Sequence, residues 1–309
     1  MLNDYYQNIG MKGFIQRYGI VNAVKRGAFM FIKLHLVKDY EVRKVLWQER
    51  ASSKIKPYLK YKDTNVQGLS FPENGVENPI WIYWNKGIEQ APIIVQKCYE
   101  SVCKHSNQKI ILLNDQNLAD YIRLPDYIEK KKDAGQIPMA GYADLMRFAL
   151  LEHYGGTWID ATVLCTSGKY PKYLFDSDLF FFQKLKPGKD GDCIPLSSWF
   201  ITSISNNKIL IATRELLYTY WHEHDFLVDY FLFHHFMYMA CEEYPEEYNK
   251  VVKFSNSIPH ILSLGLFQQY DEEKYQALVD MTCFHKLSYK LNEDNIKRKG
   301  TYYSILINQ

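Results

Sequence analysis

From residue 79 onward, short apolar runs alternate with amphipathic stretches, each closed by polar or glycine-rich punctuation. PIWIYW (79–84) is apolar throughout and reads as a buried strand, and KIILLND (109–115) as a second, closed by Asn-Asp. Residues 92–105 between them predict a helix, and a further helical segment lies around 117–133. ADLMRFALLEHY then runs into Gly155-Gly156, and TWIDATVLC (157–165) follows as a third strand. Glycine accepts the left-handed backbone that a helix end needs, so the pair marks the stop. This rhythm predicts an α/β fold, with a mainly parallel, Rossmann-like central sheet and flanking helices. Such sheets bind ligands at the carboxyl ends of their strands, which singles out Trp84-Asn85, Asn114-Asp115 and Asp160.

The upstream pattern differs. Residues 11–62 have few glycines and no proline before Pro57, and VKDYEVRKVLWQER spaces its charges three to four apart. That predicts an N-terminal helical extension over residues 1–70. FPENGVENP (71–79) is turn chemistry and separates it from the α/β domain over 75–309.

Charge sharpens this division. Residues 1–60 carry twelve Lys/Arg against four Asp/Glu, and the remainder 25 against 31, so a net charge of +2 conceals a basic arm on a mildly acidic body. An anionic surface is the implied partner. Two readings stay open: helices packed on the main domain, or a basic amphipathic helix lying on anionic lipid. Nucleic acid is not expected, because no recognition motif accompanies the basic residues. The longest apolar stretch, GAFMFIKLHLV (27–37), contains Lys33 and His35 and is too short to span a bilayer. The N-terminus lacks the basic-then-apolar order of an export signal. Six cysteines without a CxxC pair fit reduced thiols in a cytosolic protein. Aromatic residues reach 16%, with 25 tyrosines, a composition suited to stacking on bases and sugars as well as to filling a core.

The densest chemistry lies in residues 143–162, ADLMRFALLEHYGGTWIDAT. Asp144 and Arg147 share a helix face. Period two along TWIDATVLC puts Trp158, Asp160 and Thr162 on one face of a single strand. A carboxylate among such neighbours is costly unless paired or bound to a metal. Taken singly, an i,i+3 Asp–Arg pair is most often a surface ion pair, and a strand-end Asp a turn former. Their combination within twenty residues is more specific.

That run resembles the signature of the capsular polysaccharide synthesis glycosyltransferases, relatives of a group of mannosyltransferases and of the large glucosylating bacterial toxins. The resemblance extends over residues 75–309 through IWIYWNKG, SSWFI (197–201), DYFLFH (229–234) and HKLSYK (285–290). It implies a GT-A fold and a divalent cation, Mn²⁺ or Mg²⁺, held on a sugar-nucleotide diphosphate by an Asp-x-Asp pair. Here the motif is Asp-Ala-Thr, so Thr162 offers a neutral oxygen, a poorer ligand. The resemblance further implies Asp160, Thr162 and His285 as metal ligands, and Trp84 as a platform for the base. Asp144 and Arg147 would contact ribose and donor-sugar hydroxyls. Ser198 and Trp199 would lie on a loop closing over the diphosphate, and Lys286 or Lys290 would neutralise the β-phosphate. Asp229, in an aromatic helix, is a candidate for an acceptor hydroxyl, with a structural hydrogen bond as the alternative. The cluster WHEHD (221–225) is discounted as an exposed helix face.

The implied activity is retaining transfer of a hexose, from a UDP-linked donor by default, to a lipid-linked saccharide at the inner face of the plasma membrane. The alternatives are a nucleotidyl or phosphoryl transferase, for which no Walker A or GxGxxG loop is visible, and a non-catalytic scaffold with a decayed site.

Overall fold

The computed structural model describes residues 12–36, 66–185 and 194–307, with four isolated positions (10, 46, 50 and 53). Its strands are β1 (Ile80–Tyr83), β2 (Ile110–Leu113), β3 (Gly156–Ile159), β4 (Val163–Cys165), β5 (Leu179–Gln183), β6 (Leu196–Ser203) and β7 (Phe284–Lys286). Five form the central sheet in the order β2-β1-β3-β6-β5, while β4 and β7 pair as a separate antiparallel ribbon. β1 runs parallel to β2 and β3, and β6 is antiparallel to both β3 and β5. Four of the five strands therefore share a direction, and the sheet is mainly parallel.

The unbroken apolar run of β1 has a direct cause. Trp81 and Tyr83 enter one core, and Ile80 and Ile82 enter the other on the opposite face of the sheet. A strand covered on both faces has no polar side to show. The main helices are α1 (Ile20–Leu36), α2 (Ile93–His105), α3 (Asp126–Asp133), α4 (Met139–Tyr154), α5 (Lys208–Glu223) and α6 (Leu232–Glu243). Helix α2 buries Ile94, Val95, Cys98 and Val102 with Ile80 and Ile82, whereas α4, α5 and α6 supply the core around Trp81. Fully burying each such side chain contributes roughly 1.5–3 kcal/mol.

The helix expected around 117–133 is two pieces, a 3₁₀ turn at Leu118–Asp120 and then α3. Pro125 separates them: it has no N–H to continue the first piece and biases Leu124 away from helical backbone, yet suits the start of the second. Gly155 caps α4 at φ 68°, and Gly156 opens β3 at φ 94°. A Cβ on Gly156 would overlap the carbonyl oxygen of Pro79, which accepts from Thr157 N–H at 2.9 Å. The second glycine thus lets β3 enter close beside β1.

The single strand expected over 157–165 is a correction. It breaks after Ile159, where Val163 N–H donates to Asp160 O at 3.0 Å and closes a turn through Asp160-Ala161-Thr162. β3 stays in the main sheet and β4 leaves to join β7. Asp160 therefore stands at the carboxyl end of a central strand.

Of the N-terminal extension, residues 12–18 and α1 are helical, interrupted at Gly19 with φ 70°. The first turns pack on the α/β domain. Tyr18 is buried with the Arg26 guanidinium 4.2 Å above its ring, Arg26 donates to Val228 O at 2.6 Å, and Leu227 N–H donates to Arg17 O at 2.8 Å. The rest of the expected helix, over 37–62, lies outside the described residues apart from three isolated positions. Among the described residues no helix is long and apolar enough to cross a membrane. Cys98, Cys165, Cys241 and Cys283 are buried free thiols and Cys103 is exposed.

Candidate active site

Asp160 gathers its partners from three elements. From α4, Arg147 Nη2 donates to Asp160 Oδ1 at 3.0 Å, while Nη1 donates to Asp144 Oδ1 at 2.8 Å one turn earlier on the same helix. From β3, Trp158 Nε1 donates to the same Oδ1 at 3.0 Å, and the Arg147 guanidinium lies 4.7 Å over the Trp158 ring. From β7, Lys286 Nζ lies 3.2 Å from Asp160 Oδ2 and donates to Thr162 Oγ1 at 2.5 Å. The oxygens of Asp160 and Thr162 do converge, through the turn and Lys286 rather than by strand periodicity.

The electrostatics follow. Burial alone would raise the Asp160 carboxyl, but Lys286 and Arg147, with the Trp158 and Lys286 hydrogen bonds, outweigh it and hold the group below its ordinary value. Asp144 has Arg147 alone against burial and the like charge of Asp160, and its carboxyl rises to about 7. Two neighbouring carboxylates of opposite tendency thus share one arginine. The side chain of Asp160 is 28% exposed, and a small recess beside Asp144 is lined also by Pro138, Gly141, Tyr230 and Phe233.

Aromatic residues rim this region. Half-buried Trp84, at the end of β1, packs edge-on against exposed Tyr289 with centroids 5.2 Å apart, and Lys290 Nζ is 6.0 Å from the Tyr289 ring. Burial, reinforced by the charges of Asp144 and Asp160, pushes the exposed-edged Tyr230 up to about 12. The end of β1 meets that of β2, where Asp115 N–H donates to Asn85 O at 3.0 Å and Tyr83 Oη to Asp115 Oδ1 at 2.7 Å. The sequence reading missed Tyr230 and Tyr289, although both lie inside quoted motifs, DYFLFH and HKLSYK.

Other expected residues are not brought together. Ser198 and Trp199 lie inside strand β6, not on a closing loop. Trp199 is buried, stacks on Phe182 at 4.4 Å and donates to Asn256 Oδ1 at 2.8 Å, at the head of the apolar run Trp199-Phe200-Ile201 that is buried on both faces of the sheet. Its carbonyl accepts from Asp160 N–H at 2.8 Å, so it positions the Asp160 backbone. Asp229 precedes α6 rather than lying within it. Its Oδ1 accepts from Phe231 N–H at 2.8 Å and lies 3.6 Å from His235 Nε2, a buried structural arrangement. His285 is fully buried, next to Lys286 on β7 and hence on the opposite side of the strand. Its Nε2 is 3.5 Å from Thr166 Oγ1, and burial pushes its pKa down to about 4. In WHEHD, His222 and Glu223 are exposed and Asp225 pairs with Lys131 at 3.0 Å.

The expected metal ligands Asp160, Thr162 and His285 therefore do not form a set. Among the described residues no group of three or more His, Cys, Asp or Glu is disposed to hold an ion. The space between Asp160 Oδ2 and Thr162 Oγ1 is filled by an ammonium group. The residues present do not fit a divalent cation.

The sequence matches the family described as capsular polysaccharide synthesis protein over residues 32–306. Among solved structures, the PaToxG glycosyltransferase is similar at 14% identity and TM-score 0.41, with 86% of this chain and 98% of that chain covered. The WbbM bifunctional glycosyltransferase is similar at 11% identity and TM-score 0.38, with 77% and 52% covered. No curated protein matches. Matched over most of its length, the chain belongs to the capsular polysaccharide synthesis protein family.

Proposed function

We propose that this protein is a glycosyltransferase that moves a hexose from a UDP-linked donor to a lipid-linked oligosaccharide, with retention of anomeric configuration. The observation that carries the reading is the Asp144–Arg147–Asp160–Lys286 network, which gathers four charged side chains at a carboxyl end of the sheet, with Asp160 part-exposed. The base stacks on the rim at Trp84 and Tyr289. Asp144 and Arg147 hold donor hydroxyls, and Lys286 faces the diphosphate. In the transfer, the anomeric C–O bond breaks and its electron pair stays on the β-phosphate oxygen. The acceptor oxygen bonds to the anomeric carbon from the same face, and its proton passes to that phosphate oxygen. The products are a nucleoside diphosphate and an elongated saccharide. No strong base is required, and positioning with charge stabilisation supplies most of the rate.

The test is hydrolysis of a panel of UDP- and GDP-sugars by the purified chain. Turnover of one UDP-hexose with release of the α-anomer supports the reading, and turnover of a GDP-sugar or release of the β-anomer overturns it. Membrane contact belongs to the same proposal. Exposed Ile20, Val21 and Val24 stand beside exposed Lys25 on α1, an apolar and basic surface suited to anionic headgroups. Ile20→Asp with Val24→Asp should release the protein from phosphatidylglycerol vesicles in a flotation assay, and unchanged flotation would remove that part.

A further inference from the structure

Lys286 explains why residue 162 is threonine. Its ammonium has three N–H donors. One meets Asp160 Oδ2 at 3.2 Å, one meets Thr162 Oγ1, and the third reaches the Leu287 carbonyl only at 3.5 Å. The other oxygen of Asp160 is taken by Arg147 and Trp158. A divalent ion entering here would have to expel Lys286 and would keep one carboxylate oxygen and one hydroxyl from this turn. It would also stand close to the Arg147 guanidinium, whose charge opposes a second cation. His285, the remaining protein ligand expected, lies on the far side of β7. A neutral hydroxyl at 162 accepts from Lys286 without adding a second negative charge to the one that ammonium already meets at Asp160.

We propose that Lys286 is the resident cation of this site and that the enzyme binds and turns over its donor without a divalent metal. This rests on the sugar-nucleotide reading of the same cluster. The weakly used third N–H of Lys286 passes from Leu287 O to a β-phosphate oxygen as the donor binds. It then stabilises the negative charge that grows there when the anomeric C–O bond breaks. Asp160 and Thr162 serve as the holders of Lys286, and Arg147 fixes Asp160 from behind.

The experiment has two arms on the full chain. In the first, Mn²⁺ is titrated against EDTA-stripped protein with and without UDP and followed by electron paramagnetic resonance. In the second, donor hydrolysis is measured with Mn²⁺ and with EDTA. The free-Mn²⁺ signal should not fall beyond a no-protein control, and EDTA should change turnover by less than about twofold. Lys286→Met should lose about 10- to 1,000-fold in turnover, with no recovery on adding Mn²⁺. Lys286→Met combined with Thr162→Asp should acquire Mn²⁺ binding and Mn²⁺-stimulated hydrolysis. A melting curve for each variant establishes that it is folded. The proposal is overturned if EDTA abolishes turnover and Mn²⁺ restores it, or if the wild-type chain binds Mn²⁺ at a site that Asp160→Asn removes. Failure to hydrolyse any donor would strike the donor reading instead, while the Mn²⁺ titration needs no turnover and decides the cation by itself.

Discussion

Asp160 and Asp229 invite comparison, since both are aspartates among aromatic residues and both are held below the ordinary carboxylate range against the pull of burial. Their partners differ. Asp160 is balanced by Lys286 and Arg147, two full charges from separate elements, and its side chain is 28% exposed. Asp229 is held by His235, by the charge of Arg26 on α1 and by the Phe231 N–H, and its side chain is 3% exposed. One carboxylate organises two cations at a strand end, and the other ties the entry of α6 to its own helix and to α1. Burial and a lowered pKa are common to both, so neither identifies a reacting site. The distinguishing feature is whether the partners are themselves placed to meet a ligand.

The comparison breaks first on activity. Asp160→Asn leaves Arg147 and Lys286 without their shared anchor, and donor hydrolysis per folded molecule should fall by about 100- to 1,000-fold. Asp229→Asn should leave it within about twofold, because the carboxylate acts on α6 and α1 and not on the donor. Initial rates of both variants, normalised to folded protein, check this. Comparable losses in the two would mean that Asp229 reaches the reaction centre after all.

Stability should reverse the ranking. Asp229→Ala strands the buried Phe231 N–H and His235, at a cost of about 1–3 kcal/mol. Asp160→Asn keeps an acceptor for Trp158, while Arg147 keeps Asp144 and Lys286 keeps Thr162, so its cost should stay below about 1 kcal/mol. Urea midpoints give both numbers. A larger loss for Asp160→Asn would make that cluster a fold element first.

The legible parts of this molecule are those where one residue type admits one conformation. Gly155-Gly156 announced the end of α4, and Gly156 is further required by its approach to Pro79. The apolar runs of β1 and β2 announced buried strands. The break after Ile159 was hidden because the turn Asp160-Ala161-Thr162 contains neither glycine nor proline, and VLC on its far side is as apolar as TWI before it. Period two then read through the turn and placed Thr162 correctly beside Asp160 for the wrong reason. Trp199 was misplaced because SSWFI is read as a loop only by likeness, while its apolar run fits the strand it forms. His285 and Lys286 could not both face Asp160 once β7 is a strand, and the pairing of β7 with β4, more than a hundred residues away in sequence, is not written locally.

The smallest expected effect sharpens the comparison by adding Asp144, a third carboxyl with the opposite shift. Its folded value is about 7 against an ordinary 3.8. Between those values the native chain keeps a proton that the unfolded chain has lost, so this contribution is present in full below about pH 4 and is lost as pH rises toward 7. Asp229 is depressed, so its contribution is present above 3.8 and is lost only as pH falls through its lower folded value. Ionised Asp144 can relax toward the recess, so the slope should be roughly 0.3–0.5 kcal/mol per pH unit, a fraction of the ceiling of about 1.4 for one proton. From about pH 5 to 7, wild-type stability should therefore decline relative to Asp144→Asn, whereas Asp229→Asn should run parallel to wild type. Urea midpoints across that range measure both differences. A wild-type curve parallel to Asp144→Asn would mean that Arg147 keeps Asp144 ionised, and the two carboxylates flanking this arginine would then be alike.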